Sequence, residues 1–416
     1  MNIKKIDDLA WQVAFGTKKE KKKTFLKIRE LAESQGIRPA SINDFYMARG
    51  RGEVPLDFTV PAINIRGLAY DLSRSIFKVA ISKKVGALVF ELARSEMGYT
   101  KQPPVEYASV VMAAGLREGF KGPLFLLGDH FQVKQGDRPG EVKEGEVEKV
   151  KQLIKDSIEA GLYNIDLDIS TLVDYSQKTI DEQQRTNYLL SAELAEYVRS
   201  LEPKGVTVSL GGEIGHIGGK NSTEEELHAF MEGFNLALPL GLVGLSKLAI
   251  QTGTHHGGVV LPSGKLADVD VDFATLKRLS QVARKYSMGG AVQHGASTLP
   301  DKYFSQFPKS EAIEVHLATG FQNMIMDHPK FPKKLLKKMY AWLDSELAGE
   351  RQEGQTAEQF HYKLRKKAWG QFKKEGWSLS EKIKAPIRAD LEKRFAFMFK
   401  ELNVENTKET VEKFVK

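Results

Sequence analysis

Between residues 57 and 330 the chain alternates two kinds of segment. Short runs rich in apolar and β-branched residues recur eight times: FTVPAINI (58–65), GALVFELA (86–93), PLFLLGDH (123–130), YNIDLDIS (163–170), VTVSLGGE (206–213), KLAIQTG (247–253), GGAVQHG (289–295) and EVHLATG (314–320). Between them lie longer stretches such as VEKVKQLIKDSIEAG and VDFATLKRLSQVARKY, apolar at i, i+3, i+4 and i+7, the repeat of an amphipathic helix. Strand then helix, eight times over, predicts an α/β chain folded as a (β/α)8 TIM barrel. A doubly wound open sheet would show a glycine-rich phosphate turn after its first strand, and INIRGLAYD holds none.

Residues 1–56 and 331–416 do not continue the alternation. Both read as helical and charged, so the expected organisation is a barrel over 57–330 with helical N- and C-terminal extensions. These extensions are expected to pack on the barrel or on a second subunit of a homo-oligomer. The net charge of +7 comes largely from KEKKKTFLK and from the lysine-rich stretches after His328, where apolar residues interleave at helical spacing. Such stretches read as solvated helix faces rather than a nucleic-acid surface. With 41% apolar residues the chain can bury a sizeable core. It has no cysteine, which excludes disulfides, thiolate nucleophiles and cysteine-ligated metals. The first residues lack a continuous apolar segment and no later run could span a bilayer, so cytoplasm is the expected compartment.

In a barrel of this kind chemistry gathers where strands run out into their following loops. Those ends carry Asp129 and His130, Glu213, His255 and His256, His294, and finally His316 and Thr319. Five of the nine histidines fall at these positions. Taken singly, each has a structural reading as a cap partner or a packed imidazole. Together at one rim they point to a metal site. Three imidazoles, a nearby carboxylate and an open position are what a catalytic divalent ion requires, and Zn2+ suits imidazole best. His255 and His256 cannot both point inward, because neighbours on an extended segment face opposite ways.

In this order the motifs resemble the class II, metal-dependent, fructose- and tagatose-bisphosphate aldolases. GDH looks like that family's Asp-His pair, GGEIGHIGG its glutamate–glycine loop, GTHHGG its second histidine motif and QHGASTLP its third. PAINI and VFELARSEMGY resemble its first two strands, and the likeness runs from about residue 57 to 325. The length and the WSLSEKIKAPI tail also resemble the longer companion subunit of tagatose-bisphosphate aldolase. The resemblance implies His130, His256 and His294 as metal ligands, with Glu213 as a further metal-site carboxylate. It implies Asp129 as the catalytic acid/base at the C4 hydroxyl, and Gly257, Gly295, Ser297 and Thr319 around a substrate phosphate. The implied activity is cleavage or formation of the C3–C4 bond of a ketose phosphate. A 4-epimerase using the same retro-aldol step, or a non-catalytic aldolase subunit, are the alternatives.

Three features depart from the pattern. HHGGVVLP lacks the lysine often found after the second histidine motif, and HLATG puts His316 and Gly320 where the family has a substrate-binding asparagine and an aspartate. KNSTEEE displaces the mobile-loop acids to Glu224, Glu225 and Glu226. There Thr223 or Ser222 reads as a helix cap with glutamates in the first turn. His316 is expected to face the barrel interior, where it either binds substrate or packs against backbone.

Overall fold

The computed structural model describes residues 3–215, 219–254, 258, 260, 261 and 270–415. Each of the eight expected strands is present: β2 (Val60–Asn64), β3 (Val89–Ala93), β4 (Gly122–Asp129), β5 (Asn164–Asp166), β6 (Ser209–Glu213), β7 (Lys247–Ile250), β8 (Ala291–Gln293) and β9 (Glu314–Leu317). All are parallel, and each bonds two neighbours. The ring closes as Leu127 and Gly128 of β4 register with Asn164 and Ile165 of β5. Nearly every strand residue is buried, as expected when helices cover one face of a parallel sheet and packed side chains fill the other.

One element is not foreseen by the hydrophobic pattern. Residues Ile37–Ala40 form β1, which runs parallel to Gly122–Phe125 in the first half of β4. This explains why β4 is eight residues long: its first half carries β1 and its second half carries β5. Asn164 joins the three strands, donating through Nδ2 to the carbonyls of Ala40 and Leu126 and accepting from the Ile42 amide at 2.9 Å.

The flanking segments share the barrel's hydrophobic core. Ile6, Leu9, Val13 and Ile28 of the N-terminal helices pack with Val110 and Val111, and Phe395 and Phe399 of the helix Glu381–Glu401 lie in the same cluster. Tyr46, on the helix Asn43–Gly50, reaches the barrel floor and bonds Glu314. Thr223 caps the helix Glu224–Ala237 in a reciprocal box with Glu226, as the Ser/Thr-x-x-Glu spacing predicts. Among the described residues no helix is long and apolar enough to cross a membrane.

Candidate active site

The rim starts with a backbone kink. Asp129 is the last residue of β4, and His130 follows at φ 43°, a left-handed conformation uncommon outside glycine. An extended chain would send these neighbours to opposite faces; the kink lets both side chains line one cleft. The Phe131 amide, donating to the Asp166 carbonyl at 2.8 Å, anchors the turned chain to β5.

The His130 Nδ1 lies 3.0 Å from Asp168 Oδ2 and 3.3 Å from Glu213 Oε2. Asp168 is itself held by Ser170 Oγ at 2.7 Å and Gln132 Nε2 at 2.9 Å. The rings of His130 and His294 are 4.4 Å apart, and those of His294 and His316 4.0 Å. His316 faces the interior, as its position on the strand predicts, with Nδ1 2.5 Å from Glu91 and Nε2 2.6 Å from Glu314. Nδ1 is also 3.4 Å from Asp129. His316 is thus buried and lines the cleft, and its neighbours are carboxylates rather than the backbone groups expected of a packed imidazole.

Below the rim runs a buried ionic floor. Lys247, at the start of β7, sits 2.9 Å from Asp166 and pairs with Glu314. Four carboxylates (Glu91, Asp129, Asp166 and Glu314) thus face two basic groups, Lys247 and His316, all buried. Full ionisation would leave a net negative charge away from water, so protons must make up part of the balance. Burial pushes Glu91 up to about 8 against the pull of His316, and burial likewise raises Asp166. Asp129 behaves oppositely: burial would raise it, but His130, His316 and Lys247 outweigh that and hold it well below the usual carboxylate range. Glu213 is pushed up to about 7 by burial and the nearby Asp168 charge.

Of the expected site residues, Asp129, His130, Glu213, His294, Gly295, Ser297, His316 and Thr319 all line one cleft of about 1140 Å3. His255, His256 and Gly257 lie outside the described residues. Ser297 Oγ accepts from the Gly320 amide at 3.1 Å and Thr319 Oγ1 accepts from Arg66 at 2.8 Å, so the turn after β9 is tied to the loop after β8 and to β2. Sequence reasoning passed over Glu91, Asp166, Asp168, Lys247 and Glu314. The available signal was a charged residue inside an otherwise apolar strand, which is costly unless it is paired.

Ligand-capable atoms of Asp129, His130 and His294 lie within 4.8 Å of one another, as do those of His130, Asp168 and Glu213. Imidazole nitrogens beside an excess of buried carboxylates are a donor set suited to a divalent transition metal.

The geometry defines a class: a closed parallel (β/α)8 barrel whose C-terminal rim sets imidazoles and carboxylates at the base of a polar cleft. Residues 57–374 match the family described as "Fructose-bisphosphate aldolase class-II", and the chain belongs to that family of aldolase-type enzymes. No curated protein matches the chain. Among solved structures it is similar to a fructose-bisphosphate aldolase from Campylobacter jejuni, at 16% identity and a TM-score of 0.51, covering 89% of this chain and 96% of that one. A "probable tagatose 6 phosphate kinase" from Sinorhizobium meliloti 1021 is similar at 14% identity and a TM-score of 0.56, covering 86% and 99%. At these identities the likeness is one of fold.

Proposed function

We propose that this chain makes and breaks the C3–C4 bond of a ketose phosphate by metal-assisted aldol chemistry. The observation that carries the reading is the convergence of Asp129, His130 and His294 at the barrel rim. His130 and His294 are the side chains that would hold a divalent ion, Glu213 lies with Asp168 on the other side of His130 as a further carboxylate, and His256 is the further ligand implied by its motif. Such an ion, zinc or another transition metal, supplies Lewis acidity at the ketose carbonyl oxygen.

The chain's own residues handle the proton and the orientation. Asp129 is buried yet held as a carboxylate by the surrounding positive charge, and it is the group proposed to take the C4 hydroxyl proton as the bond breaks. In the synthetic direction it returns that proton. His316, fixed by Glu91 and Glu314, presents its ring beside Asp129 and limits how the substrate can turn. Gly295, Ser297 and Thr319 line the same cleft and are proposed to meet the substrate's phosphate end.

One observation favours a second reading on the same machinery. The cleft, at about 1140 Å3, exceeds the roughly 300–1,000 Å3 of ordinary small-molecule pockets. A retained aldehyde has space to rotate and rejoin, which would make the chain a 4-epimerase. Product analysis by NMR, with fructose and tagatose phosphates in the presence and absence of chelator, separates the two. Release of a triose phosphate supports the lyase, and interconversion of the C4 epimers without release supports the epimerase. Neither product from any ketose phosphate, with the metal-loaded chain, would sink the proposal.

A further inference from the structure

Cleavage of the C3–C4 bond leaves one proton transfer without a carrier. The C4 hydroxyl gives its proton to Asp129 and C4 becomes an aldehyde, while the bonding electrons stay on the other fragment as an enediolate. That fragment leaves as a ketone only after C3 gains a proton, so an acid must stand beside C3. The glutamates after GGEIGHIGG do not line the cleft. Glu224 pairs with Arg278 at 2.9 Å, Glu226 is buried in the cap with Thr223 and bonds Lys220 at 2.7 Å, and Glu225 is exposed in the same helical turn.

Among the described residues, the acids that line the cleft are Glu91, Glu96, Asp129, Asp168, Glu213 and Glu353. Glu96 is a fixed anion, accepting from Arg66 at 2.8 Å, from Asn64 and from the Ala93 amide at 3.0 Å. Asp168 and Glu213 both face Nδ1 of His130, so the imidazole stands between them and Asp129, which is 3.9 Å from Nε2. Glu353 is exposed. Glu91 differs from all of these. It lies in the middle of β3, 1% exposed, with Oε2 2.5 Å from His316 Nδ1, and the same Nδ1 is 3.4 Å from Asp129 Oδ1. Oxygen and nitrogen atoms of Glu91, Asp129 and His316 lie within 4.8 Å of one another. Carboxyls that close can serve neighbouring carbons, since an acid or base works at about 2.6–3.2 Å from its target. Burial, which pushes Glu91 up to about 8, leaves it protonated at neutral pH while Asp129 stays ionised.

We propose that Glu91 is the acid that delivers the proton to C3, and that His316 returns the C4 proton from Asp129 to Glu91. The assignment deepens the aldol reading of the cleft and rests on it. The transfers balance. The Glu91 O–H bond breaks as the C3–H bond forms, His316 Nδ1 passes its proton to Glu91, and Asp129 passes the C4 proton to Nδ1. One proton has then moved from the C4 oxygen to C3, and all three groups are back in their starting state. A 4-epimerase has no use for this acid, because it rejoins the enediolate to the turned aldehyde.

Dihydroxyacetone phosphate, the ketone that cleavage of a ketose 1-phosphate releases, exchanges its hydroxymethyl hydrogens with D2O only through the C3 transfer, and NMR reads that exchange. Glu91→Gln should slow it by roughly 10²–10⁴-fold, and triose phosphate release with it. Glu353→Gln removes an exposed, screened acid of the same cleft and should change neither by more than about two-fold. Hexacyanoferrate(III) takes two electrons from the enediolate and makes the C3 proton unnecessary, so it should restore aldehyde release in Glu91→Gln. A purely structural Glu91 would misplace Asp129 as well, and the oxidant would restore nothing. In infrared spectra of the chelator-stripped chain at neutral pH, Glu91→Gln should lose the carbonyl band of one protonated carboxyl. Circular dichroism melts check that the variants are folded. Parent-like exchange in Glu91→Gln, no recovery with the oxidant, or no infrared band lost overturns the assignment, and the aldol reading stands wherever the parent still releases triose phosphate. Glu91-dependent exchange without cleavage of any ketose phosphate would instead sink the lyase reading and leave the C3 transfer standing.

Discussion

Replacing Lys247 by methionine probes the ionic floor of the barrel. Lys247 is 2% exposed and is shared between Asp166 and Glu314. Its removal leaves two carboxylates buried without their cation, and breaking a buried pair from one side costs about 3–5 kcal/mol. An unfolding entropy of about 2.1 cal/mol/K per residue, taken over 416 residues, gives about 0.9 kcal/mol/K, so Tm should fall by about 3–6 °C. Burial alone would raise Glu314, but Lys247 and His316 outweigh it and hold the carboxyl below the usual range. In the parent, that depressed carboxylate adds stability which is present above the unfolded value and lost as pH falls through the folded one. In the variant the sign reverses: carboxylates raised by burial bind protons in the folded state, so stability falls as pH rises from about 5 to 8. Scanning calorimetry across that pH range reads both effects. Adding Glu314→Gln to Lys247→Met should recover part of the loss. A single variant melting within about 1 °C of the parent, or a double variant less stable than the single, would refute the argument.

Asp129→Ala should keep its metal content by mass spectrometry while turnover falls by roughly 10²–10⁴-fold; His294→Ala should lose metal and turnover together. His316→Asn should cost about 2–4 kcal/mol in chemical denaturation, because Glu91 and Glu314 lose their shared partner; it should also shift the ratio of cleavage to epimerisation, and a change in stability alone would leave His316 purely structural. Gly320→Ala would place a Cβ 2.3 Å from the Ser297 carbonyl oxygen; its expected cost is about 1–3 kcal/mol, with a raised KM for phosphorylated substrate in steady-state kinetics.

The barrel was legible because its strands are short apolar runs and its helices carry a clear amphipathic repeat, both local properties of the chain. The rim was legible for a related reason: His130, His294 and His316 sit at strand ends that the same pattern locates. Local pattern could not reveal β1, four residues including Pro39, because its place depends on the free first half of β4. Glu91, Asp166, Lys247 and Glu314 each look like an interruption of an apolar run until the sheet closes and brings them together. Lys363 and Lys366 read as part of a solvated helix face; Lys363 is exposed as that reading expects, whereas Lys366 is half-buried at the edge of the cleft, a placement that depends on the docking of Arg365 on Asp327.

The most direct test of the central claim is the rate of triose phosphate release from a ketose phosphate by one preparation in three states: as purified, stripped by chelator, and reloaded with Zn2+. Metal-assisted aldol chemistry at His130 and His294 predicts that stripping abolishes release and reloading restores it, with no restoration in His294→Ala. Release that survives complete removal of the metal, at the rate of the untreated chain, would contradict it.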